Sequence, residues 1–206
     1  SILLTANGDF LLSGMIIGTA GNIDINGNFT ISDDGIFSAP GAGKSFTISG
    51  DWADNSGAFD AGSWAVTFDD NSRISRIFGS NTFYDFICTT AGKELDFEAG
   101  SLQTITGILT LTGTDGDLVI LRSDTPGNQW NIDPADYNVS YVDVQDSNNI
   151  SVSSINPVDS VDSGNNINWF NSGFDISGTV YSDNGGSIVT DGIRIALVID
   201  GIDKGF

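Results

Sequence analysis

The chain of 206 residues carries 27 acidic and 7 basic residues, so its net charge is −20, and it contains no histidine. A surface this acidic repels the phosphate backbone of nucleic acids, so we expect no nucleic-acid partner. No window approaches the roughly 18 consecutive apolar residues of a membrane-spanning helix, so no membrane span is predicted. The single cysteine, Cys88, lies in an apolar run. It is predicted to be a buried hydrophobic residue, because no histidine is present to activate its thiol.

A short phrase recurs near the start of the chain: an apolar strand, a glycine, an aspartate or asparagine, and an aromatic residue. It reads Gly8-Asp9-Phe10, Gly27-Asn28-Phe29 and Gly50-Asp51-Trp52, which places the glycines 19 and 23 residues apart. Repeat periods of roughly 20 to 50 residues are typical of solenoids, propellers and other arrays. The phrase therefore predicts about one coil of a stacked β-solenoid per repeat.

Short apolar runs rich in Ile, Val, Phe and Thr follow one another along the chain, separated by Gly, Asn, Asp and Ser. This pattern predicts strands at 10–13, 29–32, 45–49, 64–68, 83–89, 108–112, 118–121, 139–144 and 193–199. Many runs alternate apolar and polar residues, as Phe46-Thr47-Ile48 does, which indicates a sheet with one buried face. We predict an all-β solenoid over residues 1–172, in which each coil covers the open edge of its neighbour.

The composition shifts near residue 172, where two alternating runs flank Asn184-Gly185-Gly186. This pattern predicts the first strands of a partial β-sandwich over residues 173–206. Because two or three strands are marginal alone, they must pack on the solenoid, continue in further chain or receive strands from another molecule. For the last alternative we name an apolar set that would mediate self-assembly: Phe174, Ile176, Val180, Ile193, Ile195, Leu197 and Ile199.

Residues 50–68 read GDWADNSGAFDAGSWAVTF and resemble one coil of the right-handed parallel β-helix repeats found in bacterial cell-surface and adhesin-like proteins. Residues 142–147 and 162–169 are similar to closing coils of the same family. Residues 176–186 are similar to the opening strands of transthyretin-like, carboxypeptidase-regulatory-like β-sandwiches. The resemblance implies a right-handed parallel β-helix in a secreted or surface-anchored bacterial scaffold, and we expect the chain to be a segment of something longer. The resemblance implies no catalytic residues.

Two kinds of binding site are candidates. Calcium takes carboxylate and carbonyl oxygens from irregular turns. Its candidate ligands are Asp115 with Asp117 and, separately, Asp159, Asp162 and Asn165, although neither stretch matches a known calcium-binding loop. Otherwise no cofactor is expected. Trp130 lies among Asn128, Gln129 and Asn131, so either it stacks on a glycan or it packs inside the solenoid.

The predicted function is that of a non-enzymatic structural or adhesive segment of a secreted bacterial surface protein. It is expected to assemble end to end with copies of itself into a filament or sheath, or to contact neighbouring domains of a longer chain. A monomeric adhesin stalk that binds a glycan is the alternative within this class. A polysaccharide-degrading enzyme is the alternative outside it, and its best arrangement would place Arg73 or Arg76 near Asp69 and Asp70. Only five basic residues precede position 173, which disfavours an acidic sugar polymer as substrate.

Overall fold

The structure, a computed structural model, describes residues 4–17, 21–38, 42–55, 58–60, 62–170, 198–199 and 202–203. These residues form strands, turns and bridges, and the described part of the chain contains no α-helix. The chain divides into two compact units, Ser1–Ser172 and Gly173–Phe206. The first unit is an all-β parallel solenoid of about seven turns.

The strands of the solenoid follow in chain order. They are β1 (Leu4–Ala6), β2 (Phe10–Leu12), β3 (Met15–Ile17), β4 (Ile23–Ile25), β5 (Phe29–Ile31), β6 (Ile36–Ser38), β7 (Ala42–Ile48), β8 (Trp52–Asp54), β9 (Phe59–Asp60), β10 (Ser63–Phe68), β11 (Ser75–Phe78), β12 (Asn81–Phe83), β13 (Asp85–Cys88), β14 (Glu94–Phe97), β15 (Leu102–Thr112), β16 (Val119–Ser123), β17 (Trp130–Ser140), β18 (Val142–Val144), β19 (Ser147–Asn149) and β20 (Val161–Asp162).

Each early coil contributes one strand to each of three parallel sheets. The first sheet has the order β1-β4-β7-β10-β13-β15-β17-β19, the second β2-β5-β8-β11-β14-β16-β18-β20, and the third β3-β6-β9. In the later coils β15 and β17 run around the corner from the position of the third sheet into the first sheet. Their pairing shifts register between Ile105 and Ile108, where the chain turns. The outer surface of the solenoid is therefore a set of flat faces separated by regular corners.

The recurring phrase forms the corner between the first and second sheets. Its polar residue bonds to the coil that follows: Asn28 N donates to Asp9 Oδ1 at 2.9 Å, and Asp51 N donates to Asn28 Oδ1 at 2.8 Å. Gly27 is required there, because a Cβ atom on it would lie 2.5 Å from Asp9 N. The aromatic residues that end the phrase pair in register, Phe10 with Phe29 and Phe29 with Trp52.

Aromatic rings fill the interior of the early coils. The ring centroid of Phe29 lies 6.0 Å from that of Phe10, with the rings stacked, and 5.0 Å from that of Trp52. The ring centroids of Trp52 and Phe83 are 5.2 Å apart. Trp52 Nε1 also donates to the buried Asn81 Oδ1 at 2.8 Å, so its one polar atom is satisfied. Burial of these rings supplies much of the stability of the fold, because each removes a large apolar area from water.

The two ends of the described solenoid differ. In one inward row of the first sheet, the exposed fraction falls from 37% at Leu4 to 7% at Ile23 and 0% at Phe46. In the last described coils amide side chains bond to backbone beside the buried Ile155 and Trp169. Asn149 Nδ2 donates to Ser153 O at 2.8 Å and to Asn168 O at 3.1 Å. Within the described residues, the inward row is thus most exposed at Leu4, whereas amide hydrogen bonds join the last coils.

The second unit is described only at its two short strands, β21 (Val198–Ile199) and β22 (Ile202–Asp203), which pair antiparallel. The remaining residues of the predicted β-sandwich, with Phe174, Ile176, Val180, Ile193, Ile195 and Leu197, lie outside the described residues. Ile199 belongs to β21, and its side chain also lies outside what the structure describes.

Candidate functional site

A pair of carboxyl groups projects from the second sheet at β14. The strand alternates, so Leu95 and Phe97 enter the core, while Glu94 and Asp96 share the outer face. In register, Asp96 lies between Arg76 of β11 and Arg122 of β16. The sheet therefore sets the two acids between basic residues of the neighbouring coils.

Arg122 does not form an ion pair with Asp96. Its guanidinium bonds to Asp143, with Nη2 2.7 Å from Oδ2 and Nη1 2.9 Å from the backbone oxygen. Nη1 also donates to Leu121 O at 2.9 Å. The positive charge nearest to the acid pair in the following coil is thus already neutralised by Asp143.

The pKa of Asp96 is raised to about 6, first by burial and then by the charge of Glu94 and a hydrogen bond to it, against the opposing effect of Arg76. Asp124 adds a smaller repulsive contribution. Asp96 Oδ1 is buried and has no hydrogen-bond partner within the described structure. Near neutral pH Asp96 therefore sits close to the point at which its carboxyl group exchanges a proton with solvent.

A cavity of about 260 Å³ opens beside the pair. Besides Glu94 and Asp96 it is lined by Arg122, Ser123, Asp124, Pro126, Gln145 and Asp146. Perturbed titratable groups in a concave site are a physical signal of function. Sequence reasoning missed this pair because it searched adjacent acids, whereas residues two apart share the face of a strand.

The predicted calcium ligands lie in turns at two places in the solenoid. Asp115 and Asp117 lie in the turn after β15, where Asp117 N donates to Thr114 O at 3.0 Å. Asp159 accepts a hydrogen bond from Tyr141 and raises the pKa of that phenol, whereas Asp162 Oδ1 accepts from Gly164 N at 2.9 Å and from an asparagine amide.

The fifth predicted ligand, Asn165, is also engaged elsewhere, because its Nδ2 donates to Asp146 Oδ1 at 2.6 Å. Among the described residues, no group of three or more His, Cys, Asp or Glu side chains is arranged to hold a metal ion. The oxygen atoms of these turns instead bond to backbone and amide groups of the protein.

Trp130 belongs to the core and presents no face to solvent. Its ring is fully buried and stacks on Phe97, with the centroids 3.9 Å apart and the planes at 12°. A strand alternates its faces, so the neighbour Asn131 faces outward. Trp130 therefore packs inside the solenoid and does not stack on a glycan.

Cys88 is buried, as predicted, and burial raises the pKa of its thiol to about 11, so the group stays protonated at neutral pH. Lys93 is an unexpected buried neighbour. Its Nζ donates to Arg73 O at 2.9 Å and to Ser49 O at 3.4 Å, and burial lowers the pKa of the amine. Lys93 thus satisfies backbone carbonyls of two preceding coils.

Of the residues predicted for a polysaccharide-degrading enzyme, Arg73 and Asp70 form an ion pair at the surface. Arg73 Nε lies 3.4 Å from Asp70 Oδ2, and the side chain of Arg73 is half exposed. Hydrogen bonds from Ser72 lower the pKa of the Asp70 carboxyl.

No known protein family, curated protein or solved structure matches this chain. The resemblance to adhesin-like repeats therefore reaches no further than the parallel β-solenoid architecture, which the structure shows. Within the described residues no helix has the length and apolar character needed to cross a bilayer.

Proposed function

We propose that this chain is a non-enzymatic structural segment of a bacterial cell-surface protein, and that the isolated segment associates with a second copy through the coil of β1 and β2. The surface location rests on the motif resemblance alone. The association rests on the open interior at Leu4, whose side chain is far more exposed than those of its partners in the same row.

The first coil supports association in two ways. Its strands β1 and β2 each pair on one side only within the described residues, so their other edges carry unpaired backbone groups. The inward side chains Ala6, Phe10 and Ile16 are only partly buried although they pack on the core. A second copy placed against this end would bury apolar side chains and pair the open strand edges at once.

The last described coils offer a different surface. Amide side chains there bond to backbone oxygens, as Asn149 does to Asn168 O at 3.1 Å, and the exposed apolar residues include Val152 and Ile167. We expect two copies to join through the coil of β1 and β2 of each, which forms an isologous pair. A solenoid segment that associates through one coil in this way can join or space other parts of a protein layer.

Sedimentation velocity of the 206-residue chain over a hundredfold concentration range tests this function. We expect a reversible dimer, at least tenfold weakened by Leu4→Lys, because a buried ammonium without a partner opposes association. Ile108→Lys is the matched control, since Ile108 is 44% exposed in mid-solenoid and faces outward from β15. A monomer at every concentration, or equal weakening by both variants, would contradict the proposal.

A polysaccharide-degrading enzyme is the competing function, and the pair Glu94 and Asp96 is its best site. The two-carboxylate glycosidases hold their acids roughly 5 to 9.5 Å apart. Here the two acids stand side by side on one face of β14 and do not face one another across a cleft, which supports the non-enzymatic proposal. Reducing-sugar release from neutral and acidic glycans, abolished by Asp96→Asn, would establish the enzyme instead.

A further inference from the structure

Two cavities lie along one corner of the solenoid, where the position of the third sheet meets the first sheet. One, of about 290 Å³, is lined by Asp60, Thr82, Tyr84 and Thr106 among others. The second, of about 330 Å³, is lined by Asp133, Asp136, Tyr137 and Ser151 among others. We call this edge the Tyr84 corner, after the residue that links β12 to β13.

Small residues make the Tyr84 corner concave. The turn residues of successive coils are Gly62, Tyr84, Gly107 and Ala135, so only one of the four carries a large side chain. A Cβ atom on Gly107 would lie 3.2 Å from Tyr84 Cε1 and 2.9 Å from Tyr84 O. The ring of Tyr84 therefore rests against the glycine of the next coil, and it keeps 37% of its surface exposed.

The lining has the chemistry of a site for hydroxyl-rich ligands. An exposed aromatic ring offers an apolar face, while the hydroxyl groups of Thr82 and Thr106 and the carboxylate of Asp60 offer hydrogen-bonding groups. No lysine or arginine lines either cavity, so the corner does not complement an anionic ligand.

The two cavities are also spaced for a linear ligand. The coil of Tyr84 pairs with the coil of Thr106, which pairs with the coil of Ala135. Neighbouring parallel strands lie about 4.8 Å apart, so the cavities are offset by about 10 Å along the axis. A chain of repeated units that follows the corner can enter both.

We propose that the Tyr84 corner binds a linear polysaccharide that carries no acidic groups, with a sugar ring stacked on Tyr84. Hydroxyl groups of the sugar donate to Asp60 in the first cavity and to Asp133 or Asp136 in the second. This binding is independent of the association through the first coil and adds a ligand to what is otherwise a structural role.

Affinity electrophoresis of the intact chain tests the proposal, with gels that contain hydroxyethyl cellulose, soluble mannan or polygalacturonate. We expect retardation by at least one of the first two and none by polygalacturonate. Tyr84→Ala weakens retardation about tenfold, the size expected for loss of one well-packed ring contact, and Tyr84→Phe retains it.

The matched control is Phe78→Ala, because Phe78 is 38% exposed but lies on β11 of the second sheet, away from both cavities. Thr82→Arg is a second test that leaves the core intact, since it fills the first cavity with a bulky cation and blocks binding. The proposal is overturned if neither of the uncharged polysaccharides, hydroxyethyl cellulose and mannan, retards the chain. It is equally overturned if Phe78→Ala and Tyr84→Ala weaken retardation to the same extent. Retardation by polygalacturonate as strong as that by the uncharged polysaccharides would also overturn it.

Discussion

Between Phe10 and Phe97 the interior of the solenoid is packed with aromatic rings, whereas from Ser147 to Phe170 asparagine side chains close it with hydrogen bonds. The ring-filled coils depend on a neighbour on each side, because an inward ring without a cover meets water. The late coils bond amide side chains to backbone oxygens, as Asn149 does to Ser153 O and Asn168 O. The difference shows that one solenoid can join neighbouring coils by ring packing in one region and by amide hydrogen bonds in another.

The largest test of this comparison removes a ring from the early coils. Trp52→Ala leaves a cavity among Phe29, Phe59 and Phe83 and orphans the amide of Asn81. We expect the free energy of unfolding to fall by about 3–5 kcal/mol in urea titrations followed by circular dichroism. Trp52→Phe keeps most of the packing and should cost clearly less, and an equal loss in both variants would contradict a packing origin.

The next test removes an amide from the late coils. Asn149→Ala deletes two donated bonds and also those that Asn149 Oδ1 accepts from Ser151 N and Oγ, at 3.0 and 2.7 Å. We expect a loss of about 2–3 kcal/mol, since buried backbone groups lose their partners. Hydrogen exchange should speed up over residues 150–170 and stay unchanged in β5 and β8. Asn138→Ala, at an exposed site on β17, is the control that should leave both regions unchanged.

A smaller difference in stability is expected between two ion pairs of the described residues, Arg122–Asp143 and Arg73–Asp70. Arg122 is mostly buried and bonds to Asp143 and to two backbone oxygens, whereas Arg73 is half exposed beside Asp70. Arg122→Met should lower the free energy of unfolding by about 1–2 kcal/mol. Arg73→Met should lower it by less than about 0.5 kcal/mol, because exposed pairs contribute little. Thermal unfolding of both variants measures the contrast, and reversed magnitudes would refute it.

The smallest effect lies at β14, at the end of the ring-filled coils, and depends on pH. The pKa of Asp96 is about 6 in the folded protein, against about 4 for a free aspartate, so the folded state binds more protons between these values. The free energy of unfolding therefore falls as pH rises from about 4 to about 6.

Asp96→Asn should remove this decline. After discounting for solvent screening, we expect it to raise the free energy of unfolding by about 1 kcal/mol at pH 7 and to leave it unchanged at pH 4. Asp33→Asn removes the same charge from an exposed turn and is the control. An equal gain at both pH values would mean that the Asp96 carboxyl is not the titrating group.

The strands that alternate over four or more residues could be predicted from the sequence, as Ser63–Phe68 shows. The corner phrase also fixed the coil length, because Phe10, Phe29 and Trp52 pair at the predicted spacings of 19 and 23 residues. Three-residue strands such as Met15–Ile17 could not be predicted, since their pairing comes from the neighbouring coil and not from local pattern.

Corners were the other difficulty. Residues 83–89 were predicted as one strand, yet the chain turns at Tyr84, and Phe83 and Phe86 both face inward because the alternation slips there. The candidate sites were misplaced for related reasons. Adjacent acids such as Asp69 and Asp70 are visible in the sequence as a pair. Glu94 and Asp96 form a pair only because they share the outer face of the strand β14. Trp130 lies among polar residues in sequence but inside the solenoid in space.

The side chain of Lys93 also affects how the solenoid unfolds. In a repeat protein each coil contacts only its immediate neighbours, so coils can fray one at a time from an end. Lys93 reaches past its neighbour to Ser49 O, 44 residues away, and also holds Arg73 O. It therefore links three successive coils into one cooperative block. A fraying front that moves along the rod should stop at this block, and intermediates should have boundaries before Ser49 or after Lys93 but not between them.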